Sequence, residues 1–120
     1  MERKYRLRLN SDFRRVRQKG KSWANRLVVL CALPNDLEHS RFGFAASKRI
    51  GKAVVRNRVR RRMREAVRLR CGLISDGWDL VFIARSAIRQ ATYAEIAEGV
   101  EHLLRRAKLY ESLNRENGSK

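Results

Sequence analysis

Ser47-Lys-Arg-Ile-Gly-Lys-Ala-Val-Val-Arg-Asn-Arg-Val-Arg-Arg-Arg-Met-Arg-Glu-Ala-Val-Arg-Leu-Arg70 carries basic residues almost without interruption, with Glu65 as its only acid. At about 100° per residue, Val55, Val59, Met63, Ala66 and Val67 fall on one side of a helix. Asn57, Arg60, Arg61, Arg64 and Arg68 fall on the other. The spacing predicts an amphipathic helix with a cationic outer face. Arg62 breaks the pattern: it lands on the apolar side, where its stem is expected to be buried and its head to reach out to water. Most of the cations are Arg, whose planar fork pairs with phosphate at two points and stacks on bases, whereas Lys offers a point charge. Asn57, between Arg56 and Arg58, both donates and accepts, so it suits a base edge, a ribose hydroxyl or a metal-bound water. A mixed-sign run would read as a solvated face; a nearly single-signed one calls for a polyanion.

Outward from that helix, Arg41-Phe-Gly-Phe-Ala-Ala-Ser47 reads as a strand with unusually small residues at Gly43, Ala45, Ala46 and Ser47. Glycine in a strand marks close approach by another group, so this strand either packs under a helix or keeps a flat surface for an extended nucleic-acid strand. Leu27–Leu33 is a continuous apolar run that predicts a buried strand ended by Pro34-Asn35-Asp36, and Ser22–Asn25 predicts a short partner for it. Before these, a short helix is expected over Ser11–Lys19, with Asn10 or Ser11 as N-cap, Asp12 in the first turn and Gly20 as the C′ residue. It has two main apolar residues, Phe13 and Val16, and a basic edge of Arg14, Arg15, Arg17 and Lys19. Residues 1–9 alternate basic and apolar, as an extended arm would.

Beyond the basic helix, Asp76-Gly77 marks a turn, with Asp79 flanking it on the far side. Trp78–Ala84 predicts a buried strand. Thr92 and Glu95 form a capping box before a helical stripe of Ile96, Val100, Leu103, Leu104 and Ala107. The order α-β-β-β-α-β-α gives an α+β sandwich with helices on a small central sheet. The division is one domain over 1–113 and a polar, disordered tail over 114–120. Any parallel crossover through the basic helix is expected from the general rule to be right-handed.

The chain has 120 residues and a formal net charge of +17, enough for one modest core and far enough from neutrality to attract polyanions. Nucleic acid leads among partner classes. A basic membrane-surface protein would place Trp, Phe or Leu opposite its Lys/Arg face, and neither the central helix nor the N-terminus does so. No apolar run reaches the ~20 residues of a membrane span, and charge at Glu2, Arg3 and Lys4 replaces a signal-peptide core. A cytoplasmic location is expected. Cys31, Cys71, His39 and His102 are isolated, which reads as reduced structural thiols and non-ligating histidines; no protein metal site is expected. A metal-dependent nuclease would need clustered carboxylates and a metal-free one an acid–base pair. Neither pattern is present, so the chain is expected to be inert alone.

Ser47-Lys48, Gly51, Ala53-Val54 and Arg56-Asn57-Arg58, followed by Arg60, Arg61 and Arg64, resemble the signature of the bacterial ribonuclease P protein subunit. The resemblance extends to Asn10, Asp12-Phe13, Val16, Gly20, Ala24-Asn25-Arg26, Asp79–Arg85 and the final helix. It implies a ribonuclease P protein-like domain in which the Arg-rich helix sits in an unusual left-handed βαβ crossover, against the general rule. It implies an endoribonuclease only as a ribonucleoprotein: a catalytic RNA subunit removes the 5′ leader of precursor tRNA and holds most of the Mg²⁺. Lys48, Lys52, Arg56, Asn57, Arg58, Arg60, Arg61, Arg64 and Arg68 are the implied RNA-binding residues, supporting the metal ions near the cleavage site. Phe13, Arg17, Val29, Ala45 and Ser47 mark the implied cleft for the single-stranded leader. No obligate protein partner and no membrane are implied. A structural RNA-binding protein of the ribosome would share the charge and the Asn-Arg chemistry but not the long signature; a self-sufficient nuclease lacks the acids.

The sequence departs from the family pattern in that cleft. Many members carry a second aromatic where Arg17 stands, and often an aromatic where Cys31 stands. Stacking on an aromatic is worth ~1–3 kcal/mol per base, so leader binding here is expected to lean on phosphate contacts with weaker base preference. Leader affinity measured against salt should fall steeply, with a slope of about −0.7 per neutralised phosphate; a nearly flat dependence would contradict it.

Overall fold

The computed structural model describes residues 1–111; the boundary at 113 and the tail over 114–120 lie outside the described residues. The elements run α1 (Asn10–Lys19), β1 (Lys21–Ala24), β2 (Val28–Pro34), β3 (Arg41–Ala45), α2 (Ala53–Arg68), β4 (Trp78–Ala84) and α3 (Tyr93–Arg106). This is the predicted α-β-β-β-α-β-α order. The four strands form one mixed sheet in the order β1-β2-β4-β3. β1 and β4 both pair antiparallel with β2, and β3 pairs parallel with β4. α2 therefore links two parallel neighbours.

Strand alternation splits the core in two. Val28, Leu30, Ala32, Phe42, Phe44, Leu80, Phe82 and Ala84 face α2 and α3, where Val59, Met63, Ala66, Val67, Ile96, Val100, Leu103 and Leu104 meet them. On the other face Leu7, Val16, Cys31 and Val81 form a smaller cluster, with Phe13, Val29, Leu33 and Ile83 packed against it. The apolar stripe of α2 thus faces the core as its periodicity predicts, and Arg62 is half-buried at its edge. The capping box of α3 is present: Glu95 N–H donates to Thr92 Oγ1 at 3.1 Å and Thr92 N–H to Glu95 Oε1 at 2.8 Å.

Local expectations around α1 need correction. The residue preceding the helix is Leu9, and no side chain caps it, so neither Asn10 nor Ser11 is an N-cap. Gly20 is extended (φ −82°, ψ 173°) rather than left-handed. Glycine is required there by space instead, since a Cβ would sit 2.5 Å from the Ala32 carbonyl oxygen and 2.6 Å from that of Val16. The N-terminal arm is extended only in part: it makes one 3₁₀ turn at Arg3–Tyr5. It then bridges Arg6 to Phe42 in parallel, with Leu7 N–H on the Phe42 carbonyl at 2.8 Å.

Asp79 follows the Asp76-Gly77 turn and stands in the predicted strand, and its partners are what the spacing did not show. It lies inside β4 and is 0% exposed. Arg41 donates Nε to its Oδ1 at 2.9 Å and Nη2 to its Oδ2 at 2.8 Å. Arg15 Nη2 reaches Oδ2 at 2.5 Å and Asn35 Nδ2 reaches Oδ1 at 2.9 Å. Arg15 also holds Asp12 at 2.9 Å. One carboxylate thereby ties α1, the β2–β3 loop and β3 to the central strand. Burial pushes the Asp79 carboxyl up, but the hydrogen bonds from Arg41 and Asn35 and the charges of Arg41 and Arg15 outweigh it and hold its pKa below the ordinary value.

A carboxylate depressed in the folded state stabilises it above the unfolded pKa of about 3.9, and that contribution fades as pH falls through the lower folded value. Asp79→Asn should cost about 3 kcal/mol near neutral pH, the low end for removing one partner of a buried pair, because both guanidiniums retain water contact. Urea melts should show the gap between wild type and variant closing only below about pH 4; a constant gap would contradict the ion-pair account.

Candidate nucleic-acid interface

α2 presents its cations because its inner stripe is consumed by the core. Asn57, Arg61 and Arg68 are exposed and Arg56, Arg58, Arg60 and Arg64 half-buried along the flanks. Lys48 and Lys52 are exposed in the 3₁₀ turn Lys48–Ile50 and just before α2. Arg60 donates to the side-chain oxygen of Asn57, which orients the amide. Arg64 lies over the Phe44 ring, 5.8 Å from its centroid. Burial, and then the charges of Arg6, Arg60 and Arg61, push the Arg64 guanidinium below its ordinary pKa. Four like charges are therefore crowded together, which suits a polyanion. Among the described residues only Arg68 of the α2 arginines has a carboxylate partner, Glu65, at 2.7 Å. Arg68 is already neutralised, and this sets it apart from the other predicted RNA-binding residues.

Beside α2 an open groove of about 1230 Å³ runs between α1 and the end of the sheet. Phe13, Arg17, Ala45 and Ser47 line it, and so does Arg60 of α2. The structure thus joins four of the five predicted cleft residues to the basic helix. Val29 is not in its lining; it lies one strand further on, beside Ile83. Sequence reasoning missed the N-terminal arm (Leu7, Arg8), Arg14 and Gln18 of α1, Arg49, and Ile83. The i, i+3, i+4 spacing of Arg14, Arg17 and Gln18 was the available signal for α1; nothing local marks Leu7 or Ile83.

Gly43 explains how the groove closes at one end. A Cβ there would meet the Phe13 ring at 2.6 Å, so the glycine accommodates the helix residue Phe13. Of the two readings of the small-residue strand, packing under a helix holds at Gly43, while Ala45 and Ser47 stay open to the groove.

The geometry agrees with the comparisons to known proteins. The sequence model of the family described as Ribonuclease P matches residues 1–108. The chain belongs to the ribonuclease P protein family. The ribonuclease P protein component of Alkaliphilus metalliredigens is 46% identical over 109 residues, covering 91% of this chain and 98% of the relative. That of Roseiflexus castenholzii is 49% identical over 108 residues, covering 89% and 88%. The fold is similar to the Staphylococcus aureus RNase P protein (TM-score 0.82, 36% identity, 89% of this chain and 98% of that one). It is also similar to the Thermotoga maritima protein (TM-score 0.78, 33% identity, 84% and 96%).

Among the described residues the side chains of this ribonuclease P family member form no cluster that fits Mg²⁺. Among the described residues no group of three or more His, Cys, Asp or Glu is placed to hold a metal ion. Asp12, Glu65, Asp79 and Glu101 are each occupied by arginine. No helix among the described residues is long and apolar enough to cross a membrane.

Gly43→Ala should push the Phe13 ring outward and lower stability by about 1 kcal/mol, the mild end of overpacking, because the ring edge can move. Urea melts and titration with a single-stranded RNA should show a folded protein whose groove binds more weakly. Unchanged binding would mean that Phe13 does not set the groove.

Proposed function

We propose that this chain is the protein subunit of a bacterial ribonuclease P, which assists a catalytic RNA in removing the 5′ leader from precursor tRNA. The observation that carries this reading is the continuity between the α2 arginines, which among the described residues lack acidic partners apart from Arg68, and a groove whose mouth they share through Arg60. Charge-assisted contacts from Arg56, Arg58, Arg61 and Arg64, with Lys48 and Lys52, dock α2 on the RNA subunit. Asn57, oriented by Arg60, takes a ribose hydroxyl or a metal-bound water at that surface. The leader enters the groove over Phe13, Ala45 and Ser47, with Arg17 on its phosphates.

In this reading Mg²⁺ belongs to the RNA. The protein places substrate and catalytic RNA together and offsets the repulsion between two polyanions, which lowers the metal concentration the reaction needs. Without the RNA subunit it is inert, since it brings no acid–base pair to a scissile phosphate. An RNA partner favours a cytoplasmic place.

The deciding experiment is cleavage of a precursor tRNA by a bacterial ribonuclease P RNA at low Mg²⁺. The wild-type protein should stimulate it strongly, Arg56→Ala/Arg58→Ala/Arg61→Ala should not, and Arg68→Ala should stay close to wild type because its charge is already paired. Failure of the wild type to stimulate would refute the assignment. Cleavage by the protein with Mg²⁺ alone would refute its inertness.

A further inference from the structure

The N-terminal arm is fixed along β3, an edge strand of the sheet. Leu7 is buried with Val16, Cys31 and Val81 and donates its N–H to the Phe42 carbonyl at 2.8 Å, while Arg6 bridges Phe42 in parallel. Tyr5 packs against the larger core cluster on the opposite face, and its ring meets that of His39 edge-on at 5.3 Å. His39 Nε2 lies 3.2 Å from the Lys4 carbonyl oxygen. Lys4, Tyr5 and Leu7 are thus all tied to β3 or to the loop before it. Arg6, held between Tyr5 and Leu7, is exposed.

The arm brings this cation to α2. Phe42 and Phe44 both belong to the core cluster beneath α2; Arg6 stands beside Phe42 and Arg64 lies over the Phe44 ring. Two positions along a strand are about 7 Å apart, so guanidiniums from the arm and from the helix occupy neighbouring places on one sheet edge. After burial, the largest effect lowering the Arg64 pKa is the charge of Arg6, ahead of Arg60 and Arg61 on its own helix. Among the described residues neither Arg6 nor Arg64 has a carboxylate partner. Neither lines the groove, although Leu7, Arg8 and Arg60 do.

We infer that the N-terminal arm is a second docking element for the RNA subunit, with Arg6 and Arg64 forming a clamp on one stretch of its phosphate backbone across the edge of β3. The inference rests on the reading of this chain as a ribonuclease P protein subunit and deepens it by adding an element besides α2. A fold that fixes two unpaired guanidiniums close together bears their repulsion. A phosphate between them removes that repulsion and accepts hydrogen bonds from both forks. Because the arm is already held at Lys4, Tyr5 and Leu7, little ordering is needed on binding. The source is the RNA subunit rather than the leader, since a strand in the groove meets Arg8 and Arg60, whereas Arg6 and Arg64 lie outside its lining.

The test pairs two measurements on the full chain: affinity for a bacterial ribonuclease P RNA without substrate, across a salt series, and the melting temperature of the free protein at low salt. Arg6→Ala should weaken RNA affinity roughly fivefold and lower the salt slope by about one. It should nevertheless raise the melting temperature, because Arg64 is relieved of its leading like charge. Arg6→Glu, free to pair with Arg64, should move both quantities further in the same directions. Adding Arg64→Ala to Arg6→Ala should cost less than the product of the single losses, because the two grip one phosphate stretch. The clamp is overturned if both Arg6 variants bind the RNA like wild type. It is equally overturned if affinity and melting temperature fall together, as loss of a merely structural arm would give, or if affinity falls only when precursor tRNA is present, which would put Arg6 on the substrate. In each of these cases wild-type binding to the RNA still supports the subunit reading. Failure of the wild type to bind the RNA would refute that reading, and the clamp with it.

Discussion

Asp79 is the constraint on which the working face depends. α1 brings few apolar side chains to the sheet, chiefly Phe13 and Val16, too little to fix a ten-residue helix by burial alone. The helix is fixed by charge as well: Arg15 reaches down to a carboxylate wholly removed from water, which Arg41 grips at two points and Asn35 at a third. Burying a charge is tolerable only when it is paired and hydrogen-bonded. Asp79 has four donors from three other segments, so its satisfaction requires those segments to be in place together. In a chain of net charge +17 an acid at the centre also spares two arginines from repelling their neighbours.

The remaining charge is sorted by face. Asp12, Glu65, Asp79 and Glu101 are spent against Arg15, Arg41, Arg68, Arg70 and Arg105. The arginines near the groove and along most of α2 are left without such partners. The cost is self-repulsion: burial, and after it the charges of Arg6, Arg60 and Arg61, push the Arg64 guanidinium below its ordinary pKa. A bound polyanion relieves that repulsion, so the surface least comfortable in isolation is also the one best matched to RNA. Apolar and small residues of the sheet lie beside it.

Elements whose cause is local were legible in advance. The 3.6-residue period of α2, the apolar runs of β2 and β4, and the Thr92/Glu95 box each act within a few residues, and each stands where the spacing puts it. The C-terminal end of α1 was misread because Gly20 answers to the Ala32 carbonyl on a neighbouring strand, a contact with no local signature. The role of Asp79 was missed for the same reason: its place in β4 was legible, but its partners Arg15, Asn35 and Arg41 come from other segments. The groove was half visible. Phe13, Arg17, Ala45 and Ser47 came with the family resemblance, whereas Leu7, Arg49 and Ile83 join the groove through the packing of separate segments.

By itself the sequence determined the order of elements and the cationic character of α2, because composition and periodicity are properties of neighbouring residues. Only the tertiary structure decided the sheet order β1-β2-β4-β3, which face α1 covers, and how far it covers it. It also decided which arginines are already paired, because ion pairs such as Arg15–Asp79 and Arg70–Glu101 join residues far apart in the chain.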